Sequence, residues 1–351
     1  MYFHHAHTFF LSLFLMIIKT MLQALSMEEL EHAARSSYRY FQFVGGFVNK
    51  DPSTTTTTTL SQTTIDKLRW KYAQCMARRH WVAEKGQTQK AIAKLKATLH
   101  HRRTIRIDDI RTCFDVAHTP HDTDFAQETR RRITNYLGTT GRMFVRGHDQ
   151  CQRAVFHFIV QNAPDPSTLP ESNAPQACLD AHYYILEKAF ACSERKSRRV
   201  NQKKKNDTHN DDDLDDEDDT SCQEMVIVTV DFENFQKWHA PPTSVISEML
   251  EMLKYHYPER LHRVYFLGAP LLFRALWSLM KPFVDPITKQ KFVFCTGTME
   301  ERTAIFENAG LPANQAMLYQ RPMDGELIKP VDMQRFYELP YDVAYDELDD
   351  H

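Results

Sequence analysis

Three apolar runs of strand length, each followed by a segment of helical pattern, fill residues 225 to 310. The runs are "MVIVTVDF", "HRVYFLGAP" and "KFVFCTG", and the helical segments are "TSVISEMLEMLKYHY", "LLFRALWSLMK" and "MEERTAIFENAG", the last stopped at Gly310. A continuous apolar run, as opposed to an alternating one, marks a strand buried on both faces. Strands that alternate with helices require right-handed crossovers, and so a mostly parallel sheet with helices on its faces. Upstream, "MFVRG" and "RAVFHFIV" flank a polar turn and read as a β-hairpin. "CLDAHYYILEKAFACSE" sets Leu179, Tyr183, Leu186 and Phe190 on one helical stripe. The expected class is α/β.

The middle helix of the series is unusual. Across Leu271–Lys281 only Arg274, Ser278 and Lys281 are polar, and they form one narrow stripe. A surface helix buries an apolar stripe a little over 100° wide, whereas this one is apolar around most of its circumference. Two apolar faces need two apolar partners.

The N-terminal part has a different texture. "FFLSLFLMII" (Phe9 to Ile18) has the length of a signal-peptide core but follows "MYFHHAHT", without Lys or Arg. It is short for a membrane span, and an amphipathic terminal helix is the blander reading. The segment 1–60 ends in the low-complexity "STTTTTTLSQTT". From Ile65 to Cys113 the pattern is helical, with Ala91, Ile92, Leu95 and Leu99 on one face, until "FDVAHTPHDTD" breaks it. Residues 61–125 are therefore expected as a helical module and 130–347 as the α/β domain. Between 195 and 221 a basic run meets the acidic "DDDLDDEDD", which composition assigns to a disordered insertion.

Several chemistries find no support. A net charge of −3 supplies no basic field for nucleic acid. The seven cysteines form no C-x-x-C, and their odd count reads as reduced thiols in a cytoplasmic compartment. There is no G-x-S-x-G elbow, P-loop, dinucleotide fingerprint or H-E-x-x-H. Asp231 and Glu233 in "DFEN" end the first strand of the regular region, where carboxylates often work. No nucleophile or metal motif accompanies them, so loop hydrogen bonding is the expected role. His4, His5 and His7 read as a solvated tail, and no metal site is expected.

"HYPERLHRVYFLGAPLLFRALWSLMKPFVDPITKQKFVFCTG" closely resembles the signature of the CRAL-TRIO family, the Sec-fourteen-like lipid-binding and lipid-transfer proteins. Tyr257 to Arg260, Ala269 and Pro270, Lys281 to Phe283, and Asp285 to Thr288 all match its recurrent elements. "MFVRGHDQCQRAVFHF" resembles its hairpin, "HYYILEKAF" the helix after it, and "QKAIAKLKATLHHRR" the end of its N-terminal helical module. The resemblance runs from about residue 75 to 347.

It implies the CRAL-TRIO lipid-binding fold: a mostly parallel sheet flanked by helices, a gate helix over a hydrophobic pocket, and a small N-terminal helical module. Leu272, Phe273, Leu276, Trp277 and Met280 of the gate helix would line the cavity for acyl chains. Glu259, Thr288 and Lys291 match residues that hold an inositol phosphate. Arg79 matches a further arginine through the register of "QKAIAKL", although "RRHWVAEKG" departs from the family pattern there. Val226 and Val228 stand where phosphatidylcholine-binding members carry hydroxyl residues, which argues against that exchange geometry. The Gly-Gly that usually follows the last helix is missing from "LPANQAMLYQRPMDGEL".

The implied function is non-catalytic. One lipid, phosphatidylinositol first, is bound and transferred or presented by a monomeric cytoplasmic protein that touches membranes transiently, without a cofactor, metal or nucleic acid. The alternative is an interaction module of the same fold that exchanges no lipid. Bulky residues facing inward from the sheet would favour it.

Overall fold

The computed structural model describes residues 14–45, 61–115, 123–139, 141–163, 175–207, 223–236, 239, 241, 243–283, 286–309 and 331–345. They form two compact units. The first holds the described residues before Asp108 together with Glu251–Glu259; the second holds the remainder, including the whole sheet.

The first unit is helical: α1 (residues 14–23), α2 (Met27–Arg35), α3 (Tyr38–Gly45), α4 (Gln62–Ala83) and α5 (Thr88–Thr104). Ser26 and Glu29 close a capping box on α2, which meets two of the orphan N–H groups at the helix start. Ile18, Met21, Leu22, Leu30 and Tyr40 pack against Tyr72, Met76, Leu95 and Leu99, with Ala33, Ala34, Ala73, Ala77 and Ala91 between them. Alanines at the crossings let the helices approach closely. This corrects the expectation for residues 1–60. The part of that segment from 14 to 45 belongs to the helical core, and α1 is an amphipathic helix with Ile18, Met21 and Leu22 on its buried face. No helix among the described residues is long and apolar enough to cross a membrane. His4, His5 and His7 lie outside the described residues.

The second unit begins one residue into α6 (Ile107–Thr112) and continues with α7 (Asp124–Leu137). α6 lies inside the stretch expected as the helical module, α7 straddles its end near residue 125, and the sequence pattern alone does not announce α7 as a helix. The contacts explain the shift. Arg111 and Glu187 pair at 3.5 Å in the interior, the Arg130 Nη1 donates to the Cys113 carbonyl at 2.6 Å, and Phe114 lies against Tyr184 and Tyr337. Then follow β1 (Met143–His148), β2 (Ala154–Ile159), α8 (Pro175–Asp207), β3 (Val226–Asp231), α9 (Thr243–His256), β4 (Leu261–Leu267), α10 (Leu271–Met280), α11 (Pro286–Lys291), β5 (Phe292–Cys295), α12 (Met299–Asn308) and α13 (Met333–Glu338). The stop expected at Gly310 lies outside the described residues; α12 itself ends at Asn308.

The sheet runs β1-β2-β3-β4-β5, with β1 antiparallel to β2 and all later pairs parallel. The expected strands, hairpin and crossovers are therefore present. One segment differs. α8 runs 33 residues, through the basic stretch Arg195–Lys205 assigned to a disordered insertion. Arg and Lys are good helix formers, and Ser197 anchors the turn after Glu194 by accepting the Gln223 backbone N–H at 2.9 Å. The remainder of that insertion, from residue 208, lies outside the described residues.

At the end of β4, Gly268 has φ +58, and a Cβ there would stand 2.9 Å from the Glu233 Cγ. Gly268→Ala therefore combines left-handed strain with a side-chain clash. A loss of about 2 kcal/mol is expected, readable as a lower urea midpoint at unchanged slope. An unchanged midpoint would mean that this turn is free to rearrange.

Candidate functional site

Register decides which side chains meet. Val228, Val264 and Phe292 form one row across β3, β4 and β5, and Val230, Phe266 and Phe294 the next. Side chains alternate along a strand, so these rows point to one face. Ile227, Tyr265, Leu267, Val293 and Cys295 point to the other.

The two faces are packed differently. On the second, Phe306 of α12 sits 4.9 Å from the Tyr265 ring. Val155, Ile227, Tyr265, Cys295 and Phe306 are all at most 1% exposed there. On the first, α10 lies over the sheet. Phe273 touches Phe232, Phe266 and Phe294 at 5.2, 5.1 and 6.1 Å between ring centres. Trp277 lies 4.7 Å from Phe292 and 6.2 Å from Phe294. Yet Val228, Val230, Phe232, Phe273, Phe292 and Phe294 are only partly buried, as is Trp277. Leu271 and Leu279, at the two ends of α10, are 76% and 72% exposed. Val264 and Phe266 at the centre of this face are buried, and the described side chains around them leave it less completely packed than the other.

Of the expected gate residues, Phe273 and Trp277 face the sheet. The side chains of Leu272, Leu276 and Met280 lie outside the described residues. The aromatic rows were missed in the sequence. Their signal was there, since Phe292 and Phe294 alternate in "KFVFC" as Val264 and Phe266 do in "VYFL".

The expected headgroup residues fall in both units. Thr288 and Lys291 stand one turn apart on α11, half-buried, just before β5. Glu259 belongs with the first unit, exposed, in the turn before β4. Its φ of +56 is uncommon for a residue with a side chain. Its neighbour Arg260 turns inward, with the guanidinium 4.4 Å over the Phe190 ring and donating to the Glu224 carbonyl at 3.0 Å. Arg79 is buried in α4 of the first unit.

Asp231 and Glu233 have local roles. Asp231 is buried and accepts the Glu233 backbone N–H at 2.8 Å, while the Glu233 carboxylate pairs with Arg302 of α12. Val228 contributes to the apolar face, and the hydroxyl of this strand, Thr229, points the other way to donate to His157 Nδ1 at 2.8 Å. Among the described residues no group of three His, Cys, Asp or Glu side chains could hold a metal ion, and the six described cysteines form no disulfide with one another.

The description of the CRAL/TRIO domain matches residues 138–313. The phosphatidylinositol transfer protein PDR17 of Saccharomyces cerevisiae is 32% identical over 106 residues, which are 29% of this chain and 28% of that protein. Protein real-time of Aedes aegypti is 29% identical over 72 residues, 20% of this chain and 11% of its own length. This chain thus spans under a third of these curated relatives. Among solved structures, the crystal structure of Sfh5 is similar at TM-score 0.40 and 19% identity, over 64% of each chain.

Proposed function

The chain belongs to the CRAL/TRIO domain family, and from that premise we propose that it binds a single lipid between α10 and the sheet and carries or presents it at membranes. The observation that carries this reading is the contrast between the two faces of β3, β4 and β5: most of the residues packed with α12 are buried, whereas on the face beneath the apolar α10 most of the described apolar residues are only partly buried. Each CH₂ taken out of water is worth ~0.8 kcal/mol, so an acyl chain profits from such a face only when most of its length is enclosed. A helix apolar around most of its girth serves that need on its inner side. On its outer side it can meet a membrane, as a peripheral contact through Leu271 and Leu279.

Phosphatidylinositol is the lipid we favour. The relation to a phosphatidylinositol transfer protein supports it, as does the match of Glu259, Thr288 and Lys291 to the family's headgroup residues, with Arg79 as a further cation. A lysine ammonium pairs with phosphate, and a carboxylate and hydroxyl bind inositol hydroxyls. The left-handed backbone at Glu259 fits a functional position, because such strain concentrates at ligand clamps. The reading requires no catalysis and no cofactor beyond the lipid.

The test is lipid extraction by the full chain from mixed liposomes, followed by identification of what is bound. Lys291→Ala should weaken phosphatidylinositol binding ~10-fold or more, the worth of one charge-assisted hydrogen bond, and leave phosphatidylcholine unaffected. An equal loss for both lipids would remove Lys291 from the headgroup.

A second reading, a family member that exchanges no lipid, has one observation in its favour. Phe232, Phe266, Phe273, Phe294 and Trp277 already meet ring to ring and fill part of the space. Extraction of no lipid at all would favour it.

A further inference from the structure

At the opposite edge of the sheet from Thr288 and Lys291 lies a charge that no carboxylate among the described residues balances. Arg142 is 0% exposed and is the largest fully buried side chain among the described residues. The backbone holds it at the carboxyl end of β2: Ile159 N–H donates to the Arg142 carbonyl at 2.8 Å, and Arg142 N–H donates to Leu137 at 3.0 Å. Its guanidinium lies 4.2 Å over the Tyr136 ring and 5.7 Å from that of Phe158. Nη2 donates to the His239 carbonyl at 2.7 Å, while Nε and Nη1 have no partner. Arg142 makes no ion pair among the described residues. The buried carboxylates of α8 are engaged elsewhere: Asp180 by Arg132 at 2.6 Å and Gln176 at 2.7 Å, and Glu187 by Arg111 at 3.5 Å.

Two further buried polar groups stand in the same cluster: His182 Nε2, which has no partner, and the Tyr136 hydroxyl, whose one neighbour of hydrogen-bonding character is the weakly accepting Cys178 thiol. The rings of Tyr136 and Phe158 stand 5.8 and 5.7 Å from that of His182. His182 Nδ1 donates to the Cys178 carbonyl at 2.7 Å, which turns Nε2 toward the cluster. Burial, with the Arg142 charge beside it, pushes His182 down to about 4, so it adds no positive charge at neutral pH.

A guanidinium cannot shed its proton in a protein, and an ion left buried without a counter-charge is among the costliest arrangements in an interior. We propose that Arg142, Tyr136 and His182 form a buried anion site at the carboxyl edge of the sheet, which takes one carboxylate. One positive charge among neutral neighbours is balanced by a monoanion, whereas a phosphate dianion would leave excess negative charge in the interior. The carboxylate can be the end of an apolar acid lying along the sheet, or a small acid from solution. In open α/β sheets, ligands gather at the carboxyl ends of the strands, where this cluster lies. The inference does not depend on the phosphatidylinositol reading.

Thermal melting of the full chain at constant ionic strength tests it, with sodium dodecanoate, sodium acetate or 1-dodecanol as probe. Dodecanoate should raise the Tm saturably and the neutral alcohol should not. Acetate matching dodecanoate would support the site with a small acid as occupant; acetate without effect would assign it to an apolar acid. Arg142→Met should melt no lower than wild type without ligand, because the uncompensated charge is gone, and should lose the dodecanoate response. Should that variant fail to fold, Tyr136→Phe keeps the ring under the guanidinium and removes the hydroxyl, and should weaken dodecanoate binding several-fold. Equal responses to dodecanoate and dodecanol, no response to either acid, or an undiminished response in Arg142→Met would overturn the proposal.

Discussion

Between pH 6.5 and about 4 the protein should lose several kcal/mol of stability. Three buried histidines cause it. His80 Nδ1 donates to the Met76 carbonyl at 2.9 Å, and Nε2 meets the Thr98 hydroxyl at 3.1 Å. His157 Nε2 donates to the Arg146 carbonyl at 3.0 Å and accepts from Thr229 through Nδ1. His182 is bound to Cys178. Burial pushes His80 and His182 down to about 4 and His157 to about 3.

In the unfolded chain each takes up its proton near 6.5; folded, each stays neutral far below that. The unfolded state therefore binds more protons throughout the window. The stabilisation is complete above 6.5 and disappears as the pH falls toward the folded values. Each histidine is worth about 3–5 kcal/mol at most, and the three together approach the whole stability of an ordinary domain. Urea melts at stepped pH values measure this. A slope below about 1.4 kcal/mol per pH unit would mean that fewer than one of these groups stays neutral in the fold.

Trp277→Asp should reduce lipid transfer at least tenfold while the protein remains folded. The indole packs on Phe292 and Phe294 but is only half-buried. Its removal therefore costs less than the ~3–5 kcal/mol of a fully buried tryptophan, and ring pairs of this kind add ~0.5–1.5 kcal/mol beyond area. A loss of about 2 kcal/mol corresponds to a Tm lower by roughly 4–8 °C. The carboxylate, in contrast, would stand where acyl chains and the membrane are proposed to meet the helix, at a place where a charge is expensive. Dequenching of a fluorescent lipid between liposome populations reads transfer, and a melt of the same sample reads the fold. Unchanged transfer would remove α10 from the lipid path, and a melt lowered by more than ~15 °C would make it a core helix.

The strands of the sheet were legible because local pattern and tertiary environment agree. "MVIVTVDF" is β-branched and apolar throughout, and burial on both faces is what such a run needs. The girth of apolar residues on α10 was legible for the same reason. Asp231 and Glu233 were read as loop carboxylates, and the contacts to the Glu233 amide and to Arg302 have that character.

Legibility failed where partners come from far along the chain. Residues 14–45 stand apart from the helical module in sequence, beyond a low-complexity stretch, and only the packed core joins them to α4 and α5. α7 has a polar surface, with Glu128, Arg130, Arg131 and Arg132, and only packing on α8 selects its buried side. The basic stretch of α8 resembles a disordered tract in composition, but it continues a helix whose nucleus was already formed by the apolar turns before it.

By itself, the sequence determined the alternation of strands and helices, the antiparallel hairpin at one edge and the presence of an apolar helix with two faces to satisfy. These follow from period and residue type, which act over a few neighbouring residues. The tertiary structure alone decided that one face of β3–β5 is packed more fully than the other among the described residues, and that Arg142, Tyr136 and His182 come together in the interior. Both depend on register between strands and on burial by distant helices. A guanidinium in the sequence shows its charge; only the packed interior shows that nothing in the described chain answers it.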